Sequence, residues 1–177
     1  MGLLMTATHT PLDAQVRRGR APDPTAGWAP IALGVSFGWD QAANGQVVGG
    51  QVRLPLLRDG TVEVVPNAQL VFLRGNKEYQ YSLEAVFVPE GVRGGLLLGG
   101  GVSWRDAVLS RTGPNDTGDP RQRHSGYNIV VGAKNNVGVV QIEVSLRWIF
   151  LNDTNYRPTP ATFGVNYPLW RTAPPRP

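Results

Sequence analysis

Between Ile31 and Leu169 the sequence alternates large apolar residues with small or polar ones, repeatedly and with a period of two. Successive side chains of a strand point to opposite faces, whereas a helix gathers like residues every three or four positions. This pattern specifies an all-β chain whose strands each have one greasy face. Composition agrees, because the 22 Gly and 15 Pro disfavour helix interiors and suit strands joined by turns.

Eight strands can be drawn. Ile31–Trp39 sets Ile31, Leu33, Val35, Phe37 and Trp39 against Ala32, Gly34, Ser36 and Gly38. The second runs from about Val47 to Leu57, with Val48, Val52, Leu54 and Leu56 opposite Gly49, Gln51 and Arg53, and ends at an Asp59-Gly60 turn signal. The third covers Thr61–Leu73, where Pro66 predicts a bulge or an edge irregularity. The fourth, Glu78–Val88, opposes Tyr79, Tyr81, Leu83, Ala85 and Phe87 to Glu78, Gln80, Ser82 and Glu84. The fifth, Gly95–Leu109, opposes Leu96, Leu98, Val102 and Trp104 to Gly99, Gly101, Ser103 and Arg105. After a polar loop, Thr112–Ser125, come Tyr127–Lys134, a turn at Asn135–Gly138 and a strand alternating Val140, Ile142, Val144, Leu146 and Trp148 with Gln141, Glu143, Ser145 and Arg147. The last strand shows Ala161, Phe163, Val165, Tyr167 and Leu169 on one side. The connections mostly alternate short and long.

This spacing predicts an eight-stranded antiparallel up-and-down β-barrel over 29–170. An extended N-terminal arm, 1–28, precedes it, and a Pro-rich tail, 171–177, follows. Which face points outward decides the kind of barrel. A soluble barrel places its apolar residues inside, and a membrane barrel inverts that arrangement. An interior of eight strands is only just wide enough to be filled by side chains. Small residues suit it, and Trp, Phe and Leu would crowd it. The faces opposite the greasy ones carry Gly, Ala and Ser together with Arg53, Glu84, Arg105, Glu143 and Arg147. These charges of both signs are expected to pair as a polar network in the lumen, because buried charge left unpaired is costly. Trp39, Tyr79, Trp104, Tyr127, Trp148, Tyr167 and Trp170 fall near strand ends, as expected of aromatic girdles at both rims of a lipid-facing band.

At this point the chain resembles the small outer-membrane β-barrel proteins of Gram-negative bacteria, over about Ile31 to Trp170. The resemblance implies that Thr162, Gly164, Tyr167 and Leu169 in the last strand correspond to the family's C-terminal assembly signal. It also implies residence in the outer membrane, lipid or other membrane proteins as partners, and a structural or interaction role. Family members end at that aromatic and carry a cleaved signal peptide. This chain runs on to Pro177, and Met1–Met5 is apolar without a basic flank. Either a longer signal ends near Ala14-Gln15 or none is carried. The arm and tail open a second expectation, an accessory subunit that braces a larger membrane complex (respiratory or photosynthetic), extrinsic to an inner membrane.

Chemistry is sparse. No cysteine is present, so disulfides and thiolate metal sites are excluded. His9 and His124 have no metal spacing. His124-Ser125 evokes the lipid-modifying hydrolases among such barrels, but its spacing departs from their His-x-Ser. Asn115–Asp119 has the oxygen density of a calcium loop without the closing Glu. Gly99–Gly101 lies in a strand, which is no setting for a phosphate cradle. Glu84, Glu143 and Arg147 read as a lumen ion network rather than catalytic carboxylates. The net charge of +4 collects at Arg17, Arg18 and Arg20 and at Arg121 and Arg123 without interleaved aromatics. Nucleic acid is therefore not an expected partner. No cofactor, metal or catalytic residue is expected.

Overall fold

The computed structural model describes residues 29–74, 76–89, 95–108, 121–152 and 154–169. Eight strands follow one another: β1 (Ala32–Asp40), β2 (Gly45–Pro55), β3 (Val62–Phe72), β4 (Lys77–Phe87), β5 (Leu96–Val108), β6 (Arg121–Val137), β7 (Val140–Leu151) and β8 (Pro160–Pro168). Each pairs antiparallel with its sequence neighbour. β8 pairs back onto β1, with Val165 opposite Val35, so the sheet closes into a barrel. Closure leaves none of these eight strands with an unpaired edge. The arm, the tail, His9, Trp170 and the Asn115–Asp119 segment lie outside the described residues.

The two ends of the barrel differ. The start of β1, the end of β8 and the connections 56–61, 88–95 and 138–139 share one end, here the terminal end. Connections 41–44, 73–76, 109–120 and 152–159 share the other, the loop end. Alternation of short and long connections holds only from β5 onward; the earlier ones are of similar length.

Three local expectations are corrected. β6 starts at Arg121, because Arg121–Gly126 pair with Val108–Ser103 of β5, and this pairing draws polar sequence into the sheet. The turn expected at Asn135–Gly138 moves two residues. Asn135, Asn136 and Val137 remain paired with β7, and the chain reverses at Gly138-Val139, with Gly138 at φ 61°. Pro66 makes neither a bulge nor an edge. Gln51 opposes Asn67 and Leu54 opposes Val64 in a single register, and the two intervening pairs are missing from the β2–β3 ladder. Proline has no N–H to give to that ladder. The Asp59-Gly60 turn forms as expected, with Gly60 at φ 75° and the Thr61 N–H donating to Asp59 Oδ1 at 3.0 Å. That N–H holds the Asp59 carboxyl below its ordinary value.

The wall has the inverted polarity. Leu33, Val35, Phe37 and Trp39 of β1 are exposed, Val35 at 66%, while Ala32, Ser36 and Asp40 are buried. Across the strands the residues alternate in the same sense, with Gln51, Arg53, Gln80, Glu84, Arg105, Glu143 and Arg147 inside. A small apolar cluster, Val65, Val86, Leu97 and Val130, packs inside among these polar groups.

Candidate functional site: a polar lumen inside an apolar wall

Inward-facing charges form three linked tiers along the lumen. Nearest the terminal end, Arg53 on β2 is ion-paired with Glu63 on β3 and, from Nε at 3.1 Å, donates to Glu143 on β7. Lys134 on β6 also pairs with Glu63. Gln51 Nε2 donates to Glu143 at 2.9 Å and to Asn166 Oδ1 at 2.8 Å. In the middle tier Glu84 on β4 receives Arg147 of β7 through both oxygens, Nε at 2.8 Å and Nη2 at 3.2 Å. It also accepts from Asn128 Nδ2 at 2.7 Å and Ser82 Oγ at 3.0 Å. The remaining Arg147 nitrogen donates to Ser145 at 2.9 Å and Thr162 at 3.1 Å. At the loop end Arg105 on β5 donates to Asp40 Oδ2 at 2.8 Å, Gln80 Oε1 at 3.0 Å and Glu78 Oε2 at 2.6 Å.

Each tier bridges strands that are not neighbours, so the charges act as struts across the bore. Buried arginines are suited to this, since a planar fork of donors can satisfy several acceptors at once. All five charges expected in the lumen from the sequence face inward and are buried. The structure adds Asp40, Glu63, Glu78 and Lys134, together with the amides of Gln51, Gln80, Asn128 and Asn166. Glu63 and Asp40 share the inward parity of their strands, a signal present in the sequence but hidden beside Val65 and Gly38.

The β7–β8 connection closes over the loop end. Tyr156 accepts from Arg105 Nη2 at 3.1 Å, and its ring lies 5.2 Å from the guanidinium carbon. The Thr159 N–H donates to Asp40 Oδ1 at 3.1 Å, an oxygen that also accepts from the N–H groups of Ala42 and Ala43. Burial pushes the Tyr156 hydroxyl above its ordinary pKa, against the pull of Arg105. Nothing in the sequence marks Tyr156, because its partner is 51 residues away across the bore.

The outer wall carries the aromatics. Trp39, Tyr79, Trp104, Tyr127, Trp148 and Tyr167 are all exposed. Their placement departs from the expected pair of girdles. The first five lie in the loop-end half of their strands, and among the described residues Tyr167 alone of the set lies toward the terminal end. Tyr127 is not at a strand start, because β6 begins at Arg121. Tyr127 stacks on Phe150 at a centroid distance of 4.8 Å. In β8, Thr162 and Gly164 face inward, whereas Tyr167 and Leu169 are exposed.

His124 and Ser125 are successive residues of β6 rather than loop residues, and successive side chains leave opposite faces of a strand. His124 is half-buried and Ser125 exposed, so the two do not form a catalytic pair. Glu84 and Glu143 are both engaged by guanidinium and amide donors. Among the described residues no group of three or more His, Cys, Asp or Glu could hold a metal ion.

No family model matches the chain, and no curated protein matches it. Among solved structures, the chain is similar to the N-terminal β-barrel domain of Pseudomonas aeruginosa OprF, with a TM-score of 0.61 and 19% identity, over 80% of this chain and 98% of that one. At that identity the likeness is one of fold, and at that level the expected resemblance to small eight-stranded barrels is borne out.

Proposed function

We propose that the chain spans a bilayer, the outer membrane of a Gram-negative bacterium, as a closed barrel with a structural or interaction role and with lipid as its chief partner. One observation carries this reading. The outward positions from Leu33 to Trp39, Val48 to Leu54, Val62 to Phe72, Tyr79 to Phe87, Leu96 to Trp104, Tyr127 to Ala133, Val140 to Phe150 and Ala161 to Leu169 include no charged, amide or hydroxyl-aliphatic side chain. Water would penalise so continuous an apolar belt, and hydrocarbon requires it. The charges at the loop end begin beyond it, with exposed Lys77 and the Arg123–Asp106 pair, 2.8 Å apart. The OprF barrel domain lends support through its fold. Three tiers of struts favour a wall over a wide pore. The bracing role rests on 1–28 and 171–177, outside the described residues.

The test is refolding of the full chain into phosphatidylcholine vesicles. Insertion is read by quenching of Trp39, Trp104 and Trp148 with brominated acyl chains and by a heat-modifiable gel band. Strong quenching is expected. A chain that stays monomeric in buffer without detergent, and is not quenched, would refute the membrane reading.

A further inference from the structure

The outer wall has a groove where β8, β1, β2 and β3 meet, of about 760 Å³, lined by Leu33, Val35, Val52, Pro66, Val165 and Tyr167. Its floor is Gly50 and Ala68, directly paired across β2 and β3. Gly50 is unusual among the glycines. At Gly38, Gly101 and Gly126 an added Cβ would fall 1.9 Å from a carbonyl oxygen of the neighbouring strand, so close backbone packing accounts for them. Gly100 also faces outward, and there the Cβ would lie 2.8 Å from the Asn128 carbonyl oxygen. At Gly50 the nearest atom is 3.6 Å away, an ordinary contact. The barrel itself would accept a larger residue there, and a glycine weakens a strand. A strand glycine without an internal reason marks close approach from outside.

The geometry points to a site for one lipid acyl chain, held in this groove against Gly50 and Ala68. The inference rests on the membrane reading and adds a specific seat to it. The groove is continuous with the apolar belt, so what meets it from a bilayer is hydrocarbon. Its rims decide between occupants. Leu33, Val35 and Tyr167 are exposed side chains standing beside a floor without one. The convex wall of a second barrel would rest on those rims before reaching Gly50, whereas an unbranched chain one methylene wide can lie along the floor. The gap in the β2–β3 ladder at Pro66 lies beside the floor and leaves this stretch of wall without cross-strand bonds at two pairs.

The test uses the full chain refolded in vesicles of dipalmitoyl phosphatidylethanolamine, extracted into mild detergent and examined by native mass spectrometry. The wild type is expected to retain one lipid under conditions that strip the rest. Gly50→Leu with Ala68→Leu fills the floor and should lower retention about tenfold, a loss of about 1.4 kcal/mol. Ala85→Leu, outward on β4 and away from the groove, should retain lipid like the wild type. Where the double variant fails to show the heat-modifiable band, Gly50→Val alone replaces it, with a loss in the same direction. Equal retention by the wild type and the filled variant overturns the assignment, as does a wild type that retains none. A species of double mass that the filled variant abolishes gives the groove to a second copy and also overturns it. Failure of the wild type to insert at all is a different result, which removes the membrane reading beneath it.

Discussion

The middle tier offers a quantitative test of what the struts do. The side chains of Arg147 and Glu84 are 2% and 0% exposed, and they meet through two hydrogen bonds. Removing one partner leaves a buried charge uncompensated, which typically costs about 3–5 kcal/mol. Arg147→Met should fall at the low end, about 3 kcal/mol, because Glu84 keeps the donors Asn128 and Ser82. Glu84→Gln should cost a similar amount, since Arg147 keeps only two hydroxyl acceptors, Ser145 and Thr162. The double variant is the informative one. In it the amide introduced at position 84 still accepts from Asn128 and Ser82, Ser145 and Thr162 remain 3.0 Å apart and bond each other, and no charge is stranded. Its total cost should be about 1–2 kcal/mol, well below the sum of the singles, as expected where an ion pair is exchanged for neutral groups. Urea unfolding in vesicles, followed by tryptophan fluorescence and the heat-modifiable band, measures all four corners of the cycle. A double variant that loses as much as both singles together would refute the reasoning, because the two residues would then not be acting on each other.

Other expectations follow from the wall and the lid. Val35→Arg should cost about 2–4 kcal/mol in vesicles if Val35 faces hydrocarbon, and an effect within about 0.5 kcal/mol in the same unfolding assay would place that face in water. Gly126→Ala drives a Cβ to within 1.9 Å of the Phe150 carbonyl oxygen and should cost about 1–3 kcal/mol or abolish the folded band, while Gly50→Ala should change stability by less than about 1 kcal/mol. The raised pKa of Tyr156 means that the folded state favours its neutral form, so its contribution is intact below the unfolded value of about 10 and is lost as pH rises above it. Proteolysis of the 152–159 connection should therefore accelerate at high pH in the wild type, and an identical pH profile in Tyr156→Phe would contradict this origin.

Strand number, the sense of the wall and the inward charges on β2, β4, β5 and β7 were legible because period-two alternation is written locally. Leu33 to Trp39 needs no partner to reveal its face. What was not legible depends on pairing across the barrel. Arg121–Gly126 read as loop because their own residues are polar, and β5 supplies the ladder that makes them strand. Lys134 and Glu63 meet only after β6 and β3 have been carried to facing sides of the bore. Tyr156 becomes part of the site only because Arg105 waits beneath it. The aromatics misled for a related reason: distance to a strand end can be judged from sequence only when that end is known, and the true start of β6 places Tyr127 mid-strand. His124 and Ser125 show the converse, since adjacency in sequence became separation by a sheet.

The seam between β1 and β8 has a consequence for assembly. Every other ladder joins consecutive strands and can form as a local hairpin, but Ala32–Asp40 must find Pro160–Pro168 at the far end of the chain. Loop closure over such a span is the slow, entropically costly step of a β topology. Until it happens, β1 and β8 each present a raw edge able to recruit another chain. The ion-pair struts shorten this dangerous interval from the inside, because Gln51 and Glu143 together hold Asn166 of β8 against β2 and β7. Closure is thus an event that only the completed polypeptide can perform, and the last strand made is the one that locks the first.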